Sequence, residues 1–244
     1  MIGGWQPWRH VGPAPRRHDI LLIADHASNH VPEDIVLGID PALLNEHIAI
    51  DIGVEGVAER MAAAHGIPAQ IATVSRLVCD LNRDEDDPAV VPRSSDGHAI
   101  PGNIGADVEQ RLNRFHRPYH AAFMGWIDEV EPLVLVSLHS FTPALKSAPV
   151  ARPWEVGILY NTDDRAARHA IRLFGEHGFT VGDNQPYSGK VLNATMNRHA
   201  EARAIPYLGI EVRQDQITNE AGQARWAELL AEVAGQVALL LQAA

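Results

Sequence analysis

An α/β fold with a largely parallel sheet is the class this sequence predicts, on three observations. Strand-like apolar runs alternate with helix-like runs along the chain. The strongest of those strands are continuously apolar, as buried strands are. The 244 residues are 46% hydrophobic, enough to fill a substantial core, and one domain over 19–244 is expected after a Pro- and Arg-containing arm at 1–18.

The elements follow in order. "DILLIAD" at 19–25 is a strand, and "DIGVEGVAERMAAAHG" at 51–66 is a helix with Asp51 at its start and Gly66 at its stop. "PAQIATV" at 68–74 returns to strand. The stretch 84–105, rich in Pro, Gly and Asp, is longer than an ordinary connection and reads as a rim or lid near the site. Helical periodicity covers 107–130, and "PLVLVSLHS" at 132–140 is the clearest buried strand. "WEVGILYN" is a strand, 163–178 a helix, and "FTVGD" and "PYLGIEV" are further strands. In the last segment Trp226, Leu229, Leu230, Val233, Val237, Leu240 and Leu241 recur at helical spacing, so this helix packs on the sheet.

Composition excludes several functions. A formal net charge of −11, with Lys and Arg scattered, argues against a nucleic-acid partner, which needs a basic surface. No run approaches the ~18 apolar residues that span a membrane. The single cysteine, Cys79, allows no internal disulfide, and no signal peptide is apparent, so a cytoplasmic location is expected. There is no G-x-S-x-G elbow or glycine-rich phosphate loop, and Cys79 lies in a strand-like run, which argues against a thiol enzyme.

Three strand ends carry ionisable groups: His26 after "ILLIAD", His139 after "LVLVSL", and Glu211 within "YLGIEVRQD". Singly, each is ordinary. Together, two histidines and a carboxylate on neighbouring strand ends can make an open zinc site, with a further carboxylate as base. Asp51 has two readings, metal ligand and helix N-cap. His47 and His30 are lesser candidates. Arg76, Arg83 and Asn82 in "SRLVCDLNRDEDD" suit capture of an anionic substrate, or structural pairing of Arg83 with Asp80 or the acidic loop. Arg213 shares a strand face with Glu211, so it is either an ion-pair partner or a further substrate contact. A metal needs only a modestly tuned glutamate to take a proton from water, which makes Glu211 the expected base.

With "ADHASNHVP", "HIAIDIGVEGVA", "VSRLVCDLNRDEDDP", "LVSLHSF", "NQPYSG" and "RHAEARAIPYLGIEVRQD" in this order, the sequence resembles the N-formylglutamate amidohydrolase family over most of the chain after the arm. That family is similar in fold to the zinc carboxypeptidases and the aspartoacylase-type deacylases. The resemblance implies a three-layer α/β/α, phosphorylase/hydrolase-like arrangement with a mixed, largely parallel sheet. It also implies one Zn²⁺ per chain on His26 and His139, with Glu211 as base and Asn82 and Arg83 gripping a substrate carboxylate. The carboxypeptidase pattern His-x-x-Glu reads "HASN" here, with Asn29 in the glutamate's place, and the resemblance lets Asp51 fill it. The implied reaction is hydrolysis of a small N-acyl amino acid, by default N-formyl-L-glutamate; the alternatives are action on a larger peptide-like substrate and metal or small-acid binding without turnover.

Overall fold

The computed structural model of the protein describes residues 5–243. Its strands are β1 (Trp8–Val11), β2 (Ile20–Ala24), β3 (Ala69–Ala72), β4 (Ser94–Ser95), β5 (His98–Ala99), β6 (Val134–Phe141), β7 (Val156–Leu159), β8 (Val181–Asp183) and β9 (Tyr207–Arg213). Its helices are α1 (Val54–His65), α2 (Val108–Arg111), α3 (Arg117–Val130), α4 (Arg165–Glu176), α5 (Ala194–His199) and α6 (Glu220–Gln242). Seven strands form one sheet in the order β1-β3-β2-β6-β9-β7-β8, and β4 and β5 form a separate hairpin. The central run β3-β2-β6-β9 is parallel, as is β7 with β8. Two pairs are antiparallel, β1 on β3 and β7 on β9, so the sheet is mixed and mostly parallel.

All eight positions of β6 and all four of β3 and β7 are buried, as strands covered on both faces must be. Helices α1, α4 and α6 pack on one another against one face. On the other face Gln70 of β3 donates to the Tyr119 carbonyl of α3 at 3.0 Å, and its neighbours Ala69 and Ile71 point the opposite way. Trp226 of α6 fills the space beside Phe179, with ring centroids 5.1 Å apart. Among the described residues no helix is long and apolar enough to cross a membrane.

Four local features depart from the sequence reading. The arm contributes an edge strand, β1, and Arg9 on it reaches Glu55 and Glu59 of α1. Helix α1 starts at Val54, not at Asp51, because Gly53 turns the chain with φ of 84°. A side chain there would meet the Ile217 carbonyl at 2.2 Å, so the turn requires glycine. The helical run over 107–130 is interrupted by a π turn at Leu112–His116. The short helix α5 was not foreseen at all.

Parallel strands end together, and that edge is where open α/β sheets gather functional groups. His139 of β6 lies level with Glu211 of β9. The β2 to β6 register pairs Ile23 with Ser137, so two residues further on Asp25 comes level with His139.

Candidate active site

One ligand atom from each of His26, Asp51 and His139 lies within 4.8 Å of the other two, and all three residues are buried. His26 follows β2, His139 sits near the end of β6, and Asp51 lies on the segment before α1. That segment is held to β6, where Ser140 donates its backbone N–H to Asp51 Oδ2 at 3.3 Å and its hydroxyl to the Ile52 carbonyl at 3.0 Å. The Asp51 carboxylate caps no helix; it faces the two imidazoles.

Both imidazoles turn Nδ1 toward Asp51 and are held from behind through Nε2. His26 Nε2 meets Asp80 Oδ1 at 2.7 Å, which places the ring proton on Nε2. His26 Nδ1 is then 3.5 Å from Asp51 Oδ2 and has no hydrogen-bond partner. His139 Nδ1 is 2.9 Å from Asp51 Oδ2, and its Nε2 lies 3.1 Å from the Ser137 hydroxyl and 3.5 Å from Asp25 Oδ2. The Asp80 carboxylate fixes the His26 ring and its tautomer, and Asp25 stands behind His139 beside the Ser137 hydroxyl, an arrangement common around histidines that ligate a metal. Asp80 and Asp25 therefore belong to the site, although neither was singled out as a site residue from sequence. Each stands one or two positions from a residue that was, but only the fold shows that it faces a histidine.

The donor set of two imidazoles and one carboxylate suits a zinc-type cation with an open position. The buried Nδ1 of His26, without a partner and facing a carboxylate, fits a cation between them. Burial works against charge on Asp51, but His26 and His139 outweigh it and hold the carboxyl well below the usual carboxylate range.

Glu211 adds a second atom without a partner, the buried Oε2. Burial, helped by the nearby Asp51 charge, pushes its carboxyl up to about 7 against the pull of His139, His26 and Arg76. No ion pair forms with Arg213. The strand ends at Arg213, and its guanidinium pairs with Asp215 at 2.7 Å while its Nη1 donates to the carbonyls of residues 152, 153 and 154. Arg213 does not line the cavity over the site, which corrects its placement as a substrate contact.

That cavity, of about 260 Å³, is lined by His26, Asp51, His139, Glu211, Arg76, Asn82 and Arg83, among others. Ser95 and Asp96, at the tip of the β4–β5 hairpin, line it too, so part of the long 84–105 stretch forms its rim. Asp96 and Gly97 take positive φ angles of 41° and 83°, the two-residue Asp-Gly hairpin turn that the sequence "SSDGHA" spells out. His47 lines the cavity through its contact with Asp96 at 3.0 Å; Asn29 and His30 do not reach it. A larger groove of about 520 Å³ lies between the ends of α3 and α6, but its Arg203 and Asp128 are paired with each other, its Glu131 pairs with Arg17, and its His18 turns Nδ1 to the Glu131 carbonyl at 3.1 Å.

The segment 77–83, which delivers Asn82 and Arg83, is held carbonyl by carbonyl. Asn103 donates to Leu77 O at 2.7 Å and Arg111 to Val78 O at 3.1 Å. His120 Nε2 lies 2.9 Å from Leu81 O, and His116 Nε2 lies 2.9 Å from Arg83 O, so each ring donates there and Asn82 is clamped on both sides. His199 backs the clamp, its Nε2 2.9 Å from His120 Nδ1. Asn82 Oδ1 accepts from the Thr195 N–H at 3.0 Å, which fixes the amide and turns Nδ2 toward the site, 3.5 Å from His139 Nε2. The π turn at 112–116 ends on His116, one of the two clamping rings. Arg76 bridges Asp51 at 3.3 Å and Asp80 at 2.9 Å.

The model of the N-formylglutamate amidohydrolase family matches residues 18–218. Among solved structures, a gene product from Agrobacterium tumefaciens superposes with a TM-score of 0.90 at 30% identity, over 98% of this chain and 97% of that one. N-formylglutamate amidohydrolase from Ralstonia eutropha superposes with a TM-score of 0.75 at 20% identity, over 98% of this chain and 99% of that one. A search of curated proteins gives no match. The resemblance seen in the motifs thus extends through the fold, and the chain belongs to the N-formylglutamate amidohydrolase family.

Proposed function

We propose that the protein is a zinc-dependent amidohydrolase that removes a formyl or other small acyl group from an N-acyl amino acid. The observation that supports this most is the pair of buried atoms without partners, His26 Nδ1 and Glu211 Oε2, on the edge where His26, Asp51 and His139 converge. His26, Asp51 and His139 would hold the metal, which when bound supplies Lewis acidity and makes water acidic enough to attack at neutral pH.

The residues of the chain do the rest. Glu211 accepts the proton of the attacking water as its oxygen bonds to the acyl carbon. Arg76, beside Asp51, sits where a guanidinium steadies the developing negative charge on the acyl oxygen. Glu211 then delivers the proton to the nitrogen as the C–N bond breaks, leaving a carboxylic acid and a free amine. Asn82 Nδ2 and the Arg83 guanidinium hold the substrate carboxylate, and the clamped 77–83 segment sets their distance from the reacting bond.

A carboxypeptidase acting on a longer peptide fits less well, because about 260 Å³ holds only a small molecule. Binding without turnover does not call for the unpartnered carboxyl of Glu211. The test is release of formate and amine from N-formyl amino acids by zinc-loaded protein beside a chelated sample. Chelator-sensitive release is expected; release that chelation leaves unchanged contradicts the metal role, and no release from protein holding zinc contradicts the reaction.

A further inference from the structure

Resting on the amidohydrolase reading, we infer that Tyr187 grips a second acid group, on the side chain of the N-acyl amino acid, and that Arg152 behind it makes this position selective for an anion. Three arginines line the cavity or bond to its wall, and they differ in what neutralises them. Arg76 lies between Asp51 and Asp80, at 3.3 Å and 2.9 Å. Arg83 has Asp87 at 3.5 Å and Asp80 at 3.9 Å, and with Asn82 it suits the α-carboxylate that every N-acyl amino acid has. Arg152, half-buried, has no carboxylate partner among the described residues. Its Nη1 donates to the Thr142 carbonyl at 3.2 Å and to Tyr187 Oη at 3.1 Å, and its guanidinium lies 4.9 Å from the Tyr187 ring centroid. Asp96, an acid of the wall, does not draw on it: the N–H groups of Lys146 and Ser147, each at 2.9 Å, and the Ser147 hydroxyl hold that carboxylate. A half-buried guanidinium without a counterion is a charge available to an anion that arrives from outside.

Tyr187 carries that charge into the cavity, which it lines together with Arg76 and Glu211. Because its Oη accepts from Arg152, its own proton points elsewhere, and that O–H finds no acceptor among the described residues. Burial and the Glu211 charge hold the phenol above its ordinary range against the pull of Arg152 and Arg76, so it stays a donor. A phenol that accepts from a guanidinium donates more strongly in turn, since hydrogen bonds in a chain polarise one another. The loop that presents it is fixed. Asn184 Oδ1 accepts the N–H groups of Tyr160 at 3.1 Å and Gly189 at 2.9 Å, and a side chain at Gly189 would meet the Tyr160 backbone at 2.5 Å. Arg76 already serves the acyl oxygen and Arg83 the α-carboxylate, so the free donor of Tyr187 is left for the side chain of the substrate. The uncompensated cation behind it favours a carboxylate there over an amide of the same size. Lys190 stands exposed on the same loop, also without a carboxylate partner among the described residues, but it does not line the cavity.

The experiment compares N-formyl-L-glutamate with N-formyl-L-glutamine, nearly equal in size and different by one charge, on zinc-loaded protein. The wild type is expected to favour the glutamate compound in kcat/KM. Arg152→Gln is expected to lower use of the glutamate compound roughly tenfold or more, as loss of a charge-assisted hydrogen bond does, and use of the glutamine compound by much less. Tyr187→Phe, which removes only the hydroxyl, is expected to narrow the ratio in the same direction, so the test stands even if Arg152→Gln does not fold. An equal loss on both compounds, or an unchanged ratio, overturns the inference, as does a ratio that collapses in Lys190→Gln and survives in Arg152→Gln. Calorimetric binding of the two compounds to Glu211→Gln protein, with and without Arg152→Gln, reads the same preference without turnover. A binding preference that Arg152→Gln abolishes, with no turnover by the wild type, overturns the hydrolase reading alone. Turnover without the preference overturns this inference alone, and neither binding nor turnover overturns both.

Discussion

Two regions meet at the carboxyl edge of the sheet: one leaves side-chain atoms of its acid–base groups unpaired, and the other pairs the backbone carbonyls it displays, although its clamping Asn103 and His116 each keep one buried atom unpaired as well. Around His26, Asp51, His139 and Glu211, buried atoms stand without partners. In the adjoining segment 77–83, the carbonyls of Leu77, Val78, Leu81 and Arg83 each take a hydrogen bond from a buried or half-buried side chain. A buried polar atom left unpaired costs about 1–3 kcal/mol, so the first region is stable only at the expense of packing elsewhere. The difference separates the two tasks of a hydrolytic site: the atoms that must accept a ligand or a proton are kept free, and the backbone that positions substrate is kept rigid.

The largest expected effect comes from removing the free carboxyl. Glu211→Gln should lower kcat by roughly 10²–10⁴-fold, the usual worth of a general base, while metal content by elemental analysis stays at the wild-type level. A variant with wild-type kcat would remove Glu211 from the chemistry. On the rigid side, the histidines behind the clamp give the next effect. Burial pushes His199 down from 6.5 to about 4, with Arg198, Arg203 and His116 reinforcing and Asp25 opposing; burial, His116, His199 and Arg198 likewise hold His120 low. Both rings are thus neutral in the folded protein. Between pH 6.5 and about 4 the unfolded chain binds a proton at His199 that the folded chain does not, so stability is intact above pH 6.5 and falls as pH drops toward 4. His199 alone accounts for about 3 kcal/mol by this linkage, at roughly 1.4 kcal/mol per pH unit. Denaturant midpoints across that range should fall in the wild type and fall less in His199→Gln; parallel curves would show that the cluster does not carry the loss.

A smaller effect is expected from His120→Ala, which leaves the buried Leu81 carbonyl with only the long 3.4 Å contact from the Thr195 hydroxyl. The expected loss is about 1–3 kcal/mol in denaturant unfolding, together with a rise in KM larger than the fall in kcat, because Asn82 and Arg83 lose their support rather than the reacting groups theirs. A pure kcat defect would place His120 in the chemistry instead. The smallest effect is expected from Arg213→Ala. Its guanidinium faces Asp215 and three carbonyls outside the cavity, so kcat/KM for a small N-formyl amino acid should stay within about twofold, and a tenfold loss would return it to the site.

What the sequence disclosed follows the same division. His26, His139 and Glu211 were legible because each lies near or just past the carboxyl end of a largely apolar strand, where an ionisable group has no structural reason to recur three times. Asp51 was legible as a residue and ambiguous in role, since a carboxylate before a helix reads equally as a cap. Only the φ of Gly53, which delays the helix to Val54, frees it for the histidines. Asp25 and Asp80 were hidden because their partners are set by the β2 to β6 register and by a contact across 54 residues. The clamp of His116, His120 and His199 was equally hidden: its three rings come from the π turn, α3 and α5, and nothing local tells a buried helical histidine from an exposed one. Arg213 misled because period two predicts a shared strand face, but the strand ends there and the long side chain follows the turn to Asp215. Strand β1 was obscured by its proline-containing surroundings, since an edge strand of four residues exists only by pairing with β3.

The most direct measurement is a titration of metal-free protein with zinc, following formate release from an N-formyl amino acid at each addition. Activity is expected to rise linearly, break at one equivalent per chain, and collapse on chelation, with His26→Ala and Asp51→Ala showing no break. Turnover already complete without metal, or unaffected by those two substitutions, would contradict the assignment of this site.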